Sequence, residues 1–116
     1  MALSEFEIAR VMKVVGAYVE SVRPAAHLRA QVDVSFRIKN QSVEIFSIRP
    51  SWNGQPGELM EEPAAKATYV RTSDHWEVFW MPASRKWKFY EPAPAVDAIE
   101  DFVELVRADA WSCFWG

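Results

Sequence analysis

The chain predicts an α+β fold: a five-stranded antiparallel sheet wound as a β-meander, flanked by an N-terminal and a C-terminal helix, both packed on one face. Three observations predict it. Apolar residues recur at helical spacing near each end of the chain. Between Val32 and Glu91 they alternate with polar residues instead, as half-buried strands require. Two amphipathic helices each need an apolar partner, and the sheet is the one on offer.

The first helix is expected over about residues 5 to 22. Ser4 and Glu7 have the spacing of a capping box, and Leu3 and Ile8 that of a hydrophobic staple. Ile8, Val11, Met12, Val15, Val19 and Val22 share a face, and Pro24 closes the helix. Val32, Val34, Phe36 and Ile38 alternate with Asp33, Ser35, Arg37 and Lys39 to predict the first strand. Asn40-Gln41 turns it into Val43–Arg49, so that Phe36, Ile38, Val43 and Ile45 share the core face. That register sends Phe46 and Ile48 to the opposite face, unless a bulge re-aims the strand or a second subunit covers it.

Residues 50–64 hold three of the seven prolines and two of the four glycines and are expected to be irregular. Strands follow at about 65–72, 75–81 and 86–91. Trp76, Val78 and Trp80 share one face of the second. In the third, Trp87 and Phe89 lie opposite Lys86, Lys88 and Tyr90. Alternation assigns Trp76, Trp80, Trp87 and Phe89 to the core, which leaves Phe46, Ile48, Phe79 and Tyr90 for the open face. The last helix is expected over about 95–108, with Val96, Ile99, Phe102, Val103 and Val106 inward. Asp97, Glu100, Asp101 and Glu104 then form its acidic outer face.

The whole chain, 116 residues, fits one domain over 1–116 and is long enough for a core of its own. Its net charge of −3 speaks against a general polyanion-coating protein, though a local basic patch survives inside that sum. One cysteine, Cys113, excludes an internal disulfide and a multi-cysteine zinc site. No secretory leader and no apolar run of about 18 residues stands in the sequence, so a cytoplasmic protein without membrane association is expected.

Catalytic and metal signatures are thin. The two histidines, His27 and His75, sit at element ends, and no G-x-S-x-G elbow occurs. No H-x-x-x-H, C-x-x-C, calcium-loop or phosphate-loop pattern occurs either, and carboxylates spaced along a helix usually form a solvated face. No cofactor or metal is therefore expected, and a binding role is favoured over an enzymatic one. The strongest remaining signal is the interleaving of Arg49, Lys66, Arg71, Arg85, Lys86 and Lys88 with the strand aromatics. Exposed aromatics on a sheet stack bases while lysines and arginines meet phosphates.

The same stretches carry a family resemblance. Arg49-Pro50-Ser51-Trp52, Pro63-Ala64-Ala65-Lys66-Ala67-Thr68-Tyr69, Trp76-x-x-x-Trp80, Lys86-Trp87-x-x-Tyr90-x-Pro92 and Cys113-Phe114-Trp115-Gly116 together resemble a small bacterial family catalogued as domain of unknown function 3024. This chain departs from the family pattern at Ala64, where valine is usual, and at Trp111-Ser112, in place of Tyr-Gly. The resemblance implies no activity and no catalytic residue. It does single out motif positions.

The candidate binding residues are Arg49, Trp52, Lys66, Tyr69, Lys86, Lys88 and Tyr90. Three readings use them. The first is a binding module whose basic and aromatic sheet surface takes nucleic acid or another protein, nucleic acid being preferred. The second is a small enzyme or binder of an anionic small molecule, with a pocket beside residues 50–64 in which Arg49 and Lys66 hold the anion and Tyr69 or Glu62 supplies the polar chemistry. The third is a homodimer that buries Phe46, Ile48 and Phe79 on the open sheet face.

Overall fold

A computed structural model of the protein describes residues 2–51 and 54–116. Helix α1 runs over Glu5–Val22, where the capping box forms as the spacing requires: the Ser4 N–H donates to Glu7 Oε1 at 2.7 Å and the Glu7 N–H to Ser4 Oγ at 3.2 Å. Val11, Val15, Tyr18 and Val19 are its buried face. A short 3-10 turn at Ala26–Leu28 leads into β1 (Asp33–Lys39) and β2 (Ser42–Pro50). Strands β3 (Leu59–Val70), β4 (His75–Trp80), β5 (Lys88–Phe89) and β6 (Ala95–Val96) follow, and α2 (Ile99–Ala108) closes the elements. The strands are antiparallel in the order β1-β2-β3-β4-β5, with β6 on the same edge of β4 as β5.

Both helices lie on one face. There, Val43 and Ile45 of β2, Ala65 and Ala67 of β3, and Trp76 and Val78 of β4 meet Val11 and Val15 of α1 and Phe102 and Val106 of α2. Each fully buried valine or isoleucine contributes about 1.5–3 kcal/mol through lost apolar surface. The small side chains of Ala65 and Ala67 let α2 approach β3 closely.

Four expectations change. Strand β3 begins at Leu59, six residues earlier than its sequence suggests, and runs through Pro63. Pro63 stands opposite Phe46, a β2 position that also pairs with Ser35 of β1, and β4 ends opposite Ala65. No neighbour asks Pro63 for the N–H it lacks, so the strand tolerates it. Ala64 is the extra residue of a bulge, because Ile45 pairs with Ala65 but Phe46 with Pro63.

The β1–β2 register runs on without interruption past that bulge, so Phe46 keeps its open-face position. It is nevertheless only 7% exposed, because the Arg37 guanidinium lies 4.2 Å from its ring. Arg37 itself is held by Glu61. Phe79 is similarly covered, stacked on Phe89 at 4.6 Å with the Lys66 ammonium 4.8 Å from its ring. Ile48 is half-buried. Phe46, Ile48 and Phe79 therefore do not form the bare apolar patch that motivated a dimer through this face.

Residues 86–91 exchange faces relative to expectation. Phe89 pairs with Phe79 and follows it to the open side, because directly paired residues share a face. Tyr90 is thereby driven into the core, 2% exposed. Finally, α2 starts at Ile99, not near 95. Ala95 and Val96 instead complete the β4 edge opposite Glu77 and Trp76, so Asp97 precedes the helix. The Ala98 N–H then donates to Asp101 Oδ2 at 3.2 Å, which supplies the start signal.

Candidate functional site

The seven candidate residues do not share one site. Lys66 points from β3 to the open face, where its ammonium lies 4.8 Å from the Phe79 ring and 5.1 Å from the Trp87 ring. Burial lowers its pKa below the ordinary lysine value, and Glu44 across β2 opposes that shift. Lys86 is exposed in the turn between β4 and β5. Tyr69 lies at the other end of β3, donating its O–H to Asp74 Oδ1 at 2.6 Å and packing 5.2 Å from Trp76. That hydrogen bond, ahead of burial, raises its pKa. Tyr69 thus holds the β3–β4 turn.

Tyr90 belongs to the core, its ring 4.8 Å from Phe114, and burial raises its pKa. Lys88 borders a cleft of about 200 Å³ with Trp80, Trp111 and Cys113. Trp52 lies outside the described residues.

Arg49 has a different setting. Past the bulge, Ser47 and Arg49 of β2 project to the helix side of the sheet, beyond the reach of either helix. The chain that leaves β4 turns away from β3 at Met81-Pro82, and the tail from Ser112 to Gly116 crosses the opening. The result is a cleft of about 560 Å³ lined by these three walls. That volume falls within the usual range of ligand sites. Met60, Trp80, Phe114 and Trp115 supply apolar and aromatic surface. Glu62, on its wall, pairs with Arg85 of the β4–β5 turn at 3.0 Å.

The Arg49 Nε donates to Ser47 Oγ at 3.4 Å. Among the described residues no carboxylate lies within 4.0 Å of its guanidinium. Arg10, Arg23, Arg37, Arg71, Arg85 and Arg107 each do meet one. Arg49 therefore brings a positive charge and free donors to a partly apolar cleft.

The tail wall is fixed by Asp109. This residue ends α2 in the left-handed conformation, and its carboxylate accepts the N–H groups of Phe114 and Trp115, each at 3.0 Å. The Trp115 indole N–H donates to the Tyr18 hydroxyl at 2.9 Å, tying the tail to α1. Burial pushes the Cys113 thiol pKa up, with Asp109 adding to it, so the sulfur is held protonated and is a poor nucleophile.

Of the residues expected in a pocket beside residues 50–64, Arg49 and Glu62 line this cleft while Lys66 and Tyr69 do not, and Ser47 and Asp109 were not legible as site residues. Asp109 alone left a trace, since an aspartate just past a helix C-terminus opposes the helix dipole and needs another partner. The Glu62–Arg85 pair joins residues 23 apart, and no spacing rule reveals it.

The family model of domain of unknown function DUF3024 matches residues 3–116. The chain belongs to that family. No curated protein and no solved structure matches it. In this DUF3024 chain, several of the stretches that carry the family pattern, distant in sequence, meet at one place. Arg49-Pro50, Pro63-Ala64, Trp80 and Cys113–Gly116 all line the Arg49 cleft. Ser112, at a position where the pattern has glycine, has φ 55°. Among the described residues no helix is long and apolar enough to cross a membrane, and no group of three or more His, Cys, Asp or Glu could hold a metal ion.

Proposed function

We propose that this DUF3024 domain binds a small anionic ligand, a carboxylate or phosphate ester with an apolar body, in the cleft around Arg49. The observation that carries this reading is the convergence of four motif segments on one cleft whose arginine lacks a carboxylate partner among the described residues. An arginine fork suits both anions, and Trp80, Phe114 and Trp115 suit an apolar or aromatic body. Binding without turnover fits the lining: Glu62 is engaged by Arg85, and the Cys113 thiol is held protonated.

Calorimetric titration with a panel of aromatic carboxylates and organic phosphates tests it. At least one is expected to bind, Arg49→Ala to weaken it about tenfold or more, and Arg49→Lys to recover part of the loss. An entire panel without binding, or equal affinity in Arg49→Ala, removes the reading.

A second reading keeps the open sheet face as a surface for nucleic acid. Phe89 is 45% exposed there, stacked on Phe79 beside Lys66 and Trp87. Arg37, Lys39 and Lys66 share that face with Glu44, Glu61 and Glu77, so its charges nearly cancel. For this reason we rank it second. Single-stranded RNA in the same titrations, at two salt concentrations and with Phe89→Ala, separates the two.

A further inference from the structure

Strand β1 ends the sheet, and among the described residues its outer edge has no strand beside it. Its register with β2 shows which of its groups face outward. Lys39 pairs with Ser42 across the two-residue Asn40-Gln41 turn, so Lys39, Arg37, Ser35 and Asp33 exchange hydrogen bonds with β2. The N–H and C=O groups of Val34, Phe36 and Ile38 therefore point away from the sheet. The Val34 N–H illustrates this, since it is taken by the Asp33 carboxylate at 2.8 Å and not by β2. An edge of this kind is a template for another strand unless something blocks it.

The sequence of this edge is complementary to itself. We propose that a second copy of this chain pairs with it, β1 against β1, antiparallel about a two-fold axis at Phe36. In that register Phe36 faces Phe36 of the second copy and Val34 faces Ile38. These are the residues whose backbone groups point outward, so hydrogen-bond parity and register agree. The same register sets Asp33, which Arg23 of its own chain already holds, opposite Lys39 of the second copy. The Val34 N–H passes from the Asp33 carboxylate to the Ile38 carbonyl of the second copy.

The helix above the edge has the same symmetry. Gly16 of α1 sits over Phe36, and a methyl group built on it would lie 3.6 Å from that ring. The axis through Phe36 thus passes beside Gly16, where the absence of a side chain lets two copies of α1 approach. Lys13 and Glu20 stand three residues before and four after Gly16, and so share its side of the helix. Antiparallel pairing about that point sets Lys13 of one chain against Glu20 of the other. Met12, also on that side, is 56% exposed in the single chain. Residues of opposite charge therefore stand across one axis on the helix as on the strand, and the exposed Glu20, which also meets Arg23 of its own chain, is the carboxylate more open to a second partner.

This surface is separate from the Arg49 cleft, and the proposal does not depend on it. Sedimentation velocity of the full chain over a concentration series is the first measurement, and a concentration-dependent dimer is expected. Lys13→Glu, an exposed change, is expected to weaken it about tenfold, because two-fold symmetry turns two attractive pairs into two repulsive ones. Adding Glu20→Lys to Lys13→Glu is expected to restore it. Hydrogen exchange supplies the second measurement: the Phe36 and Ile38 amides should gain protection as concentration rises. A chain that stays monomeric overturns the proposal. So does a dimer in which those two amides exchange freely or Lys13→Glu has no effect.

Discussion

Replacing Asp109 by asparagine tests how the cleft is built. Asp109 has φ 41°, a region that asparagine tolerates, so the backbone is left alone. The change acts on the carboxylate, whose two oxygens accept the Phe114 and Trp115 N–H groups at 3.0 Å each. An amide keeps one acceptor and turns a donor toward the other N–H. The variant loses one charge-assisted hydrogen bond outright and weakens the second. Hydrogen bonds to charged groups contribute about 1.5–3 kcal/mol net, so a loss of that order is expected. For a chain of this size that is about 6–12 °C in Tm. The assay is urea denaturation followed by tryptophan emission, with hydrogen exchange at Phe114 and Trp115 alongside. Faster exchange of those two amides localises the effect to the tail, and any ligand of the Arg49 cleft should bind more weakly to the variant. An unchanged midpoint with unchanged exchange at 114 and 115 refutes the assignment of Asp109 as the anchor of the tail.

Two further outcomes follow from local geometry. Ser112 has φ 55°, where an L side chain costs energy and glycine does not, so Ser112→Gly is expected to stabilise the chain by about 0.5–1 kcal/mol; a lowered urea midpoint contradicts that. Asp33 accepts from Arg23 Nε at 2.9 Å and from a terminal guanidinium nitrogen at 2.8 Å, and these bonds hold its pKa below the ordinary 3.8. A depressed carboxylate pKa stabilises the fold above the unfolded value, and that stability is lost as pH falls through the lowered one. Asp33→Asn, studied at high dilution, should therefore lower stability at neutral pH and flatten its decline below about pH 4; an acid limb parallel to that of the parent chain counts against the pair.

The elements were legible where one local signal decided them. Ser4, Glu7 and Pro24 bracket α1 because capping and proline sterics act within a few residues. The alternation of Val34, Phe36 and Ile38 fixes a face because a strand has period two. Where two signals competed, the local one misled. Proline and glycine density argued for a loop throughout 50–64, yet Leu59–Ala64 is strand because Pro63 falls where neither neighbouring strand needs its N–H. Phe89 and Tyr90 were assigned to the wrong faces for a related reason. Alternation says that they differ, but only the pairing of Phe89 with Phe79 says which one is inside.

The site was harder to read because it is made by termination and not by periodicity. The cleft opens where β4 leaves β3 after Trp80, where β3 runs on past its partner through a bulge, and where a tail beyond the last helix folds back. None of these events has a repeat. Arg49, Lys66 and Lys86 were singled out together, as cations at motif positions on or beside neighbouring strands. The sheet separates them: Lys66 faces the open side, while Arg49 faces the helix side, since Ser47 and Arg49 alternate with Phe46 and Ile48. The bulge at Ala64 keeps β3 in step with this switch, bringing Met60 and Glu62 to the same side as Arg49. The arginine thereby lines a cleft closed on one side by the tail pinned by Asp109 and on another by the chain that leaves β4. A cation left there without a carboxylate is stable because water can reach it, and it is available to a ligand for the same reason.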